Sequence, residues 1–435
     1  MPLKYLGLPL GASPRKRRTW QPVIDKCKQK LATWKRRFLS FAGRLILIKS
    51  VLSSLPIFFL SLFKMPAGVA KEIVKIQSRF LWGGDELRRK VHLISWKEIS
   101  QRKSQGGLGI KRLTLMNDCL LLKWWWRFGS ENDALWKQVI CSKYSEAGRG
   151  WWPLPVVNSK SSQIWKGIMG VAWHNPDLVG FFKSKLSLVI GDGRRAQFWE
   201  DIWIGNVCLK EKFPRLYSLS VDKAESVHLV LSRWVGSVED NLCFRRALYQ
   251  WEVEDLRRLY EMLSNAPALV EGTPDSLSWA ADSSGLFSVA SAYKGCELSL
   301  ATNSKIADLI WKNVSPPRVQ FFGWLAWKGR IKTSYYLQRI GVLSDGFDPR
   351  CIFCKGEVEN INHVLLFCPF TWRIWSRILQ WWGIQWVLPG SISCLFNWCI
   401  GIKLQKQEQM IWRAIPLAVL WSVWNRRNEC IFGNA

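Results

Sequence analysis

Histidine and acidic side chains are both scarce in this chain. Among 435 residues there are only four histidines, and 33 Asp and Glu face 62 Lys and Arg, which gives a formal net charge of +29. The excess is uneven, because residues 1–130 carry 27 basic and 6 acidic side chains. A field this positive over one third of the chain favours a polyanionic partner, and nucleic acid is the expected one. The alternative is a solvated surface that like charge keeps soluble.

Long hydrophobic runs and a signal peptide are also lacking. The longest apolar stretch, Leu45 to Phe63, contains Lys49, four serines and Pro56. A membrane-spanning helix needs about 20 predominantly apolar residues, so a membrane protein is excluded at this stage. Twelve cysteines in so long a chain do not indicate a disulfide framework. A reducing, intracellular compartment is expected, where grouped cysteines more often bind metal.

Helical periodicity dominates the first part of the chain. Apolar residues recur at three- and four-residue steps from Trp20 to Phe38, and much of the remaining surface is basic. Ser13-Pro14 is the predicted helix start, with serine as the N-cap. Further helices are predicted at about Arg44 to Leu55 and at Ala67 to Trp82. Residues 12–84 are therefore expected to form a small bundle with a basic outer face.

The middle of the chain predicts short β elements between helices. Apolar runs flank Gly191-Asp192-Gly193 and again Asp282 to Gly285, and both patterns are typical of hairpins. The predicted fold class is mainly α with small β-hairpin elements (α+β). The expected segments are a short leading piece, the basic bundle, a helical connector, a Trp-rich mixed region, a zinc-binding helical domain and a helical tail, at residues 1–11, 12–84, 85–150, 151–284, 285–385 and 386–435.

A short cluster near the C-terminal end has the spacing of a metal site. The segment CIFCKGEVENINHVLLFC places Cys351, Cys354, His363 and Cys368 at C-x2-C-x8-H-x4-C spacing. Two pairs of sulfur and nitrogen ligands suit one tetrahedral Zn2+, and a shell of four protein ligands leaves no position for water. The predicted ion is therefore structural. Asn360 is expected to cap the helix of the second pair, and Pro369 to stop it.

Other interpretations of this cluster stay open. The first pair, Cys351 and Cys354, could be a redox Cys-x-x-Cys motif, but the sequence around it lacks the βαβ pattern that accompanies such motifs. The remaining alternatives are helix-core residues and a chance grouping. His92, His174 and His228 have no matching partners and receive no role. Cys394 and Cys399 are expected to be buried small hydrophobes.

Tryptophan is abundant, with 29 residues. Most of these side chains, such as Trp20 and Trp324, lie on apolar stripes and are expected in the core. Trp151-Trp152 and Trp381-Trp382 lie next to proline or glycine and are the better candidates for stacking on unpaired bases.

Several stretches coincide in one order: LKYLGLPLG, WKRRFLSFAGRLILIKSVLSSLP, FLWGG, GGLGI, IGDGRRAQFWEDIWIG, SGLFSVASAY and the cysteine–histidine cluster. Over nearly the whole chain this order resembles the C-terminal half of LINE-like (non-LTR) retrotransposon reverse transcriptases of the plant-type lineage. The resemblance implies that residues 4–7 follow the polymerase palm and that residues 12–84 match the thumb. It also implies that the cluster is the zinc-binding domain of that family.

The basic residues of the thumb-like segment are expected to contact the phosphates of template RNA or primer DNA. An import signal at Arg15 to Arg18, or plain solvation, is the alternative, and a nuclear location is expected rather than a cytoplasmic one. The predicted contacts are Arg15, Lys16, Arg17, Arg18, Lys26, Lys30, Lys35, Arg36, Arg37, Arg44 and Lys49.

One feature of the family is not found in this sequence. A Tyr-x-Asp-Asp motif, which binds two Mg2+ ions in the intact polymerase, does not occur here, and no catalytic residue is assigned. Asp192, Glu200 and Asp201 are expected in turn and surface roles. The chain is therefore expected to be a truncated remnant that binds nucleic acid. The alternatives are a zinc-stabilised protein-interaction module, and polymerase activity only with a palm-bearing partner in trans.

Overall fold

The computed structural model is mainly helical, as predicted. It describes residues 4–5, 8–9, 11–33, 39–83, 93–144, 150–153, 161–233, 242–299, 303–344, 346–385, 387 and 389–433. The predicted phosphate contacts Lys35, Arg36 and Arg37 lie outside these residues. No helix in these ranges has both the length and the apolar character needed to cross a membrane.

The elements follow one another with short connections. The strands are β1 Lys4–Tyr5, β2 Leu8–Pro9, β3 Leu186–Val189 and β4 Ser276–Trp279. The described residues also include two π-helical segments, Ile48–Leu52 and His363–Phe367, and a 3-10 turn, Lys103–Gln105. The α-helices are α1 Arg17–Thr33, α2 Phe41–Leu47, α3 Ile57–Leu60, α4 Ala67–Trp82, α5 Trp96–Ile99, α6 Leu113–Ser130, α7 Leu135–Lys143, α8 Gln163–Met169, α9 Val171–His174, α10 Pro176–Ser184, α11 Leu209–Lys212, α12 Pro214–Leu219, α13 Val227–Ser232, α14 Gln250–Leu263, α15 Val289–Ser299, α16 Lys305–Trp311, α17 Pro317–Trp327, α18 Ser334–Arg339, α19 Pro369–Trp381, α20 Ile392–Gly401 and α21 Lys406–Phe432.

Two helices, α1 and α2, begin at residues other than those predicted from the sequence. Helix α1 begins at Arg17, so the expected N-cap at Ser13 is wrong: a turn comes first, in which the Thr19 hydroxyl donates to the Ser13 carbonyl at 2.7 Å. Helix α2 begins earlier than predicted, because the Ser40 hydroxyl accepts from the Gly43 N–H at 3.1 Å. Helix α4 has the predicted bounds.

The two predicted hairpins are wrong, because their first strands pair with each other. Strand β3 lies antiparallel to β4, with Leu186 opposite Trp279 and Val189 opposite Ser276. The carboxylate of Asp275, just before β4, binds the loop after β3. It accepts from the backbone N–H groups of Gly191, Gly193, Arg195 and Ala196 at 2.8–3.0 Å.

The chain divides into two compact units. The first comprises Met1–Trp20, Ile57–Ala67 and Leu113–Leu300. Among its described residues are two buried apolar clusters, one built on helices α6, α8, α10 and α15 and one on residues 196–263. Fully buried Trp279 and Phe182 lie in the former, with ring centroids 5.5 Å apart.

The second unit comprises Gln21–Pro56, Gly68–Arg112 and Ala301–Ala435. One buried cluster runs through it, from Cys27 of α1 and Phe80 of α4 to Cys351, Cys368 and helix α21. The basic helices and the cysteine–histidine cluster therefore share one core. The six segments predicted from the sequence remain a prediction.

Candidate metal centre

The four predicted ligands converge. One ligand atom from each of Cys351, Cys354, His363 and Cys368 lies within 4.8 Å of all the others. The sulfurs of Cys351 and Cys368 are 3.9 Å apart, and the Cys354 sulfur is 3.2 Å from His363 Nε2. A tetrahedral Zn2+ with ordinary bond lengths requires ligand atoms roughly 3.5–3.8 Å apart. The four residues present therefore fit that ion in type, number and approximate spacing.

The first pair of ligands lies in a tight backbone turn. An antiparallel bridge joins Arg350 to Val358, and the Cys351 N–H donates to the Glu357 carbonyl at 2.8 Å. Lys355 has a φ of 55°, in the left-handed region, and its N–H returns to the Cys351 carbonyl at 2.8 Å. This turn brings the Cys354 side chain back toward Cys351.

The second pair lies at the two ends of the π-helical segment His363–Phe367. As predicted, the Asn360 side chain accepts from the His363 N–H, at 2.8 Å. The Cys368 N–H donates to the His363 carbonyl at 2.7 Å, which closes the segment. Pro369 does not simply stop a helix, because it is the first residue of α19.

Burial and hydrogen bonds shift the pKa values of all four predicted ligands. Burial raises the pKa of Cys351 to about 12, and burial also raises the pKa of Cys368. For Cys354 burial acts in the same direction, but hydrogen bonds from the Glu357 and Gly356 N–H groups outweigh it and lower the pKa. Burial lowers the pKa of His363, which keeps the imidazole neutral as a ligand must be. Buried thiols with a raised pKa ionise to thiolate ligands only when positive charge lies beside them, and a divalent metal would supply that charge.

A buried ion pair supports the turn of the first ligands. Glu359 is fully buried, and its carboxylate accepts two bonds from Arg427 of α21, at 3.0 and 2.5 Å. The same carboxylate accepts from the Ser334 N–H at 2.8 Å. The pair joins residues 68 positions apart in the sequence, so no local spacing could have predicted it.

The predicted phosphate contacts fall into two groups. The cations Arg15, Lys16, Arg17, Arg18, Lys26 and Lys30 are exposed, in helix α1 or directly before it. Arg44 and Lys49 are half-buried. Arg44 donates to the carbonyls of Leu39 and Leu81 at 3.1 and 3.4 Å, and burial, followed by the charge of Lys103, lowers the pKa of Lys49.

A second basic row, not predicted from the sequence, lies on helix α4. Lys71, Lys75 and Arg79 recur every four residues along α4, and all three are exposed. Their spacing was a usable signal, because i, i+4 residues share one helix face. Lys28 of α1 is also exposed and was missed.

The tryptophans expected to stack on unpaired bases differ in their exposure. Trp151 is buried: its indole N–H donates to Asp201 at 3.1 Å, and Arg195 stacks 3.7 Å from its ring, so stacking on a base there is wrong. Trp381 is 81% exposed. Trp382 is half-buried against Trp412, at 5.4 Å between centroids.

Two smaller expectations have different outcomes. Cys399 is buried as expected, but Cys394 is exposed, because it lies in the first turn of α20 near the Ser391 cap. The Glu200 carboxylate pairs with Lys210 at 3.3 Å on the surface, which agrees with the expected surface role.

Comparisons with known proteins agree with this geometry. Residues 287–375, which include all four ligands, match the family described as zinc-binding in reverse transcriptase. Over 429 residues, 95% of this chain and 64% of the relative, the sequence is 28% identical to a candidate ribonuclease H protein of Arabidopsis thaliana. Over 152 residues, 35% of this chain and 93% of the relative, it is 26% identical to an uncharacterized mitochondrial protein of the same plant.

These findings support the resemblance predicted from the motifs. Residues 287–375 match a zinc-binding domain of reverse transcriptases, and the similarity to the first relative extends over most of the chain. The comparisons do not specify a LINE-like lineage. The chain spans 64% of the length of the first relative.

Proposed function

We propose that this chain binds nucleic acid as the post-palm part of a LINE-like reverse transcriptase, and that one structural Zn2+ holds its second unit together. The observation that carries the proposal is a set of exposed cations without acidic partners. Among the described residues, none of these five forms an ion pair: Lys26, Lys28, Lys71, Lys75 and Arg79.

Helix α1 supplies the first part of this set. Its buried side includes Trp20, Val23, Ile24 and Cys27, and Asp25 is the one acidic residue in the helix. Lys26 and Lys28 lie on the outward side. Surface lysines in soluble proteins are commonly balanced by nearby carboxylates, and an unbalanced group favours phosphates.

Helix α4 supplies the second part. Ile73, Phe80 and Leu81 are buried in the core, while Lys71, Lys75 and Arg79 face solvent. The row extends over about 12 Å of helix at 1.5 Å per residue. Phosphate contacts of this kind fix position on a nucleic acid and carry little base specificity.

Zinc has a structural role in this proposal. Cys351, Cys354, His363 and Cys368 would hold it, and bound zinc supplies folding free energy to the segment, typically about 10–16 kcal/mol in small zinc sites. Because Cys351 and Cys368 lie in the same core as Cys27 and Phe80, loss of the ion would also loosen the basic helices.

Salt dependence of binding tests the proposal. The full chain is titrated into a labelled RNA–DNA duplex at several salt concentrations, and binding is followed by fluorescence anisotropy. Five phosphate contacts predict a slope of log affinity against log salt near −4.5 for a duplex, at about −0.9 per contact. Changing Lys71, Lys75 and Arg79 together to glutamine should make the slope less steep by about 2.7.

The matched control removes the same charge elsewhere. Lys143, Lys183 and Lys185 are exposed cations of the first unit, and their triple glutamine variant should keep the wild-type slope. A wild-type slope near zero would contradict the proposal. An equal change of slope in both triple variants would also contradict the proposal, because binding would then depend on net charge alone and not on the cations of α4.

A further inference from the structure

Helix α19 has one face fixed to the cysteine–histidine cluster. Thr371, Trp375 and Leu379 are buried. The Thr371 hydroxyl donates to the Val364 carbonyl at 2.8 Å, and the Trp375 indole N–H donates to the Leu365 carbonyl at 3.1 Å. Both acceptors lie in the π-helical segment that begins at His363. The helix is therefore held rigidly on the segment that carries a metal ligand.

The opposite face carries two cationic side chains between two aromatic ones. At 100° per residue, Phe370, Arg373, Arg377 and Trp381 lie within about 80° of one another around the helix. All four are exposed, Trp381 at 81% and Phe370 at 40%. The row extends over about 17 Å along the axis, the length of roughly five stacked bases at 3.4 Å each.

No carboxylate neutralises this row within its own stretch of sequence. No aspartate or glutamate occurs between Glu359 and Glu408, while Arg373, Arg377, Lys403 and Lys406 all lie there. Arg373 and Arg377 form no ion pair with any residue that the structure describes. Their guanidinium groups are left for an external anion.

A neighbouring ring contacts each of the two aromatic side chains. Phe370 stacks on Phe353 of the first ligand turn, with centroids 4.5 Å apart and an interplanar angle of 28°. Trp381 meets Trp382 edge-on at 6.2 Å and 76°, and Trp382 in turn meets Trp412. The stacked Phe370 ring therefore loses less conformational entropy when a ligand binds than a ring without such a partner.

We propose that this outward face of α19 binds an unpaired nucleic-acid strand. Bases stack on Trp381 and Phe370, and Arg373 and Arg377 contact the phosphates between them. Single-strand binding surfaces combine aromatic rings with cations, and a duplex keeps its bases out of reach of such rings. The inference rests on the proposed nucleic-acid function, but assigns the single strand to a surface separate from the cations of α1 and α4.

Substitution of Trp381 in the full chain tests the inference. The probes are a labelled oligothymidine of about 20 nucleotides, which exceeds usual single-strand site sizes, and a DNA duplex of equal length. Trp381→Ala should weaken oligothymidine binding at least about fivefold and leave duplex binding unchanged. Trp381→Phe should restore part of the loss, since phenylalanine also stacks. Arg373→Gln with Arg377→Gln should make the single-strand salt slope less steep by about 1.4.

The control is an indole of similar exposure in the first unit. Trp173, on α9, is 66% exposed, and Trp173→Ala should bind both probes as wild type does. Unchanged oligothymidine binding by Trp381→Ala, with duplex binding intact, overturns this inference and leaves the proposed function standing. Wild-type protein that binds neither probe overturns both. Circular dichroism identical to that of the wild type verifies that each variant is folded.

Discussion

At the scale of single residues, the pair formed by Glu359 and Arg427 shows how the metal-site turn is supported from a distance. Both side chains are buried, at 0% and 5% exposure, and the contact uses both carboxylate oxygens. Such a pair is not strongly stabilising in itself, because desolvation offsets the attraction. Removing one partner is costly, since it leaves a buried charge without compensation.

Arg427→Met is therefore expected to destabilise the second unit by about 3–5 kcal/mol. The measurement is hydrogen exchange across a urea series, read on peptides from α17 and α21. The matched control is Arg426→Met, because Arg426 is 63% exposed and pairs with an equally exposed Glu429. That change should cost no more than about 0.5 kcal/mol. An equal loss of stability in the two variants would show that the buried pair matters no more for folding than the exposed pair.

Single residues also differ in whether the sequence could predict their contacts. The four metal ligands were predictable, because their spacing within 18 residues fixes which turns can bring them together. Arg427 was not, because its partner lies 68 residues away and only the tertiary fold joins them. The same reason explains Trp151, whose neighbours Arg195 and Asp201 lie more than 40 residues along the chain.

At the scale of elements, the glycine turn in the segment GGLGI forms a close backbone contact in the second unit. Leu108 is fully buried, and its N–H donates to the Ile99 carbonyl at 2.9 Å. A Cβ atom on Gly107 would lie 2.1 Å from the backbone oxygen of Gln101 and 2.6 Å from that of Glu98. Both obstacles are backbone atoms, so a side chain cannot simply move aside.

Gly107→Ala is accordingly expected to destabilise the protein by about 1–3 kcal/mol through overpacking. The shift of the urea midpoint, followed by tryptophan fluorescence, measures this cost. Gly68→Ala in α4 is the control: nothing lies within 4 Å of its added Cβ, so alanine should be neutral or stabilise by up to about 1 kcal/mol. A Gly107 variant as stable as the Gly68 variant would refute the close-contact explanation.

Elements were predictable where local signals decide them. The bounds of α4 follow from its apolar period and from Gly83, which takes a φ of +60° after the last turn. The hairpins failed because alternation of apolar residues identifies a strand but not its partner. Strand β3 pairs with β4, and Asp275 uses its carboxylate to bind the loop that sequence analysis interpreted as a hairpin turn.

At the scale of the whole molecule, the helical fold class was predictable and the compact units were not. Each unit combines segments that are distant in the sequence, and the second unites residues 21–56, 68–112 and 301–435. Composition indicated a basic first third, but it could not show that Cys27 and Phe80 share a core with Cys351 and Cys368. The cluster thus joins residues near the two ends of the chain.

The central claim is that one zinc ion, held by the cysteine–histidine cluster, organises the second unit. The most direct test is the zinc content of the purified full chain, measured by mass spectrometry, for wild type and for Cys354→Ser. Cys243→Ser, which changes an exposed cysteine of the first unit, is the control. The account predicts one zinc per chain in the wild type and in the control, and none in Cys354→Ser. A wild-type chain purified without zinc, or equal zinc in all three proteins, would contradict it.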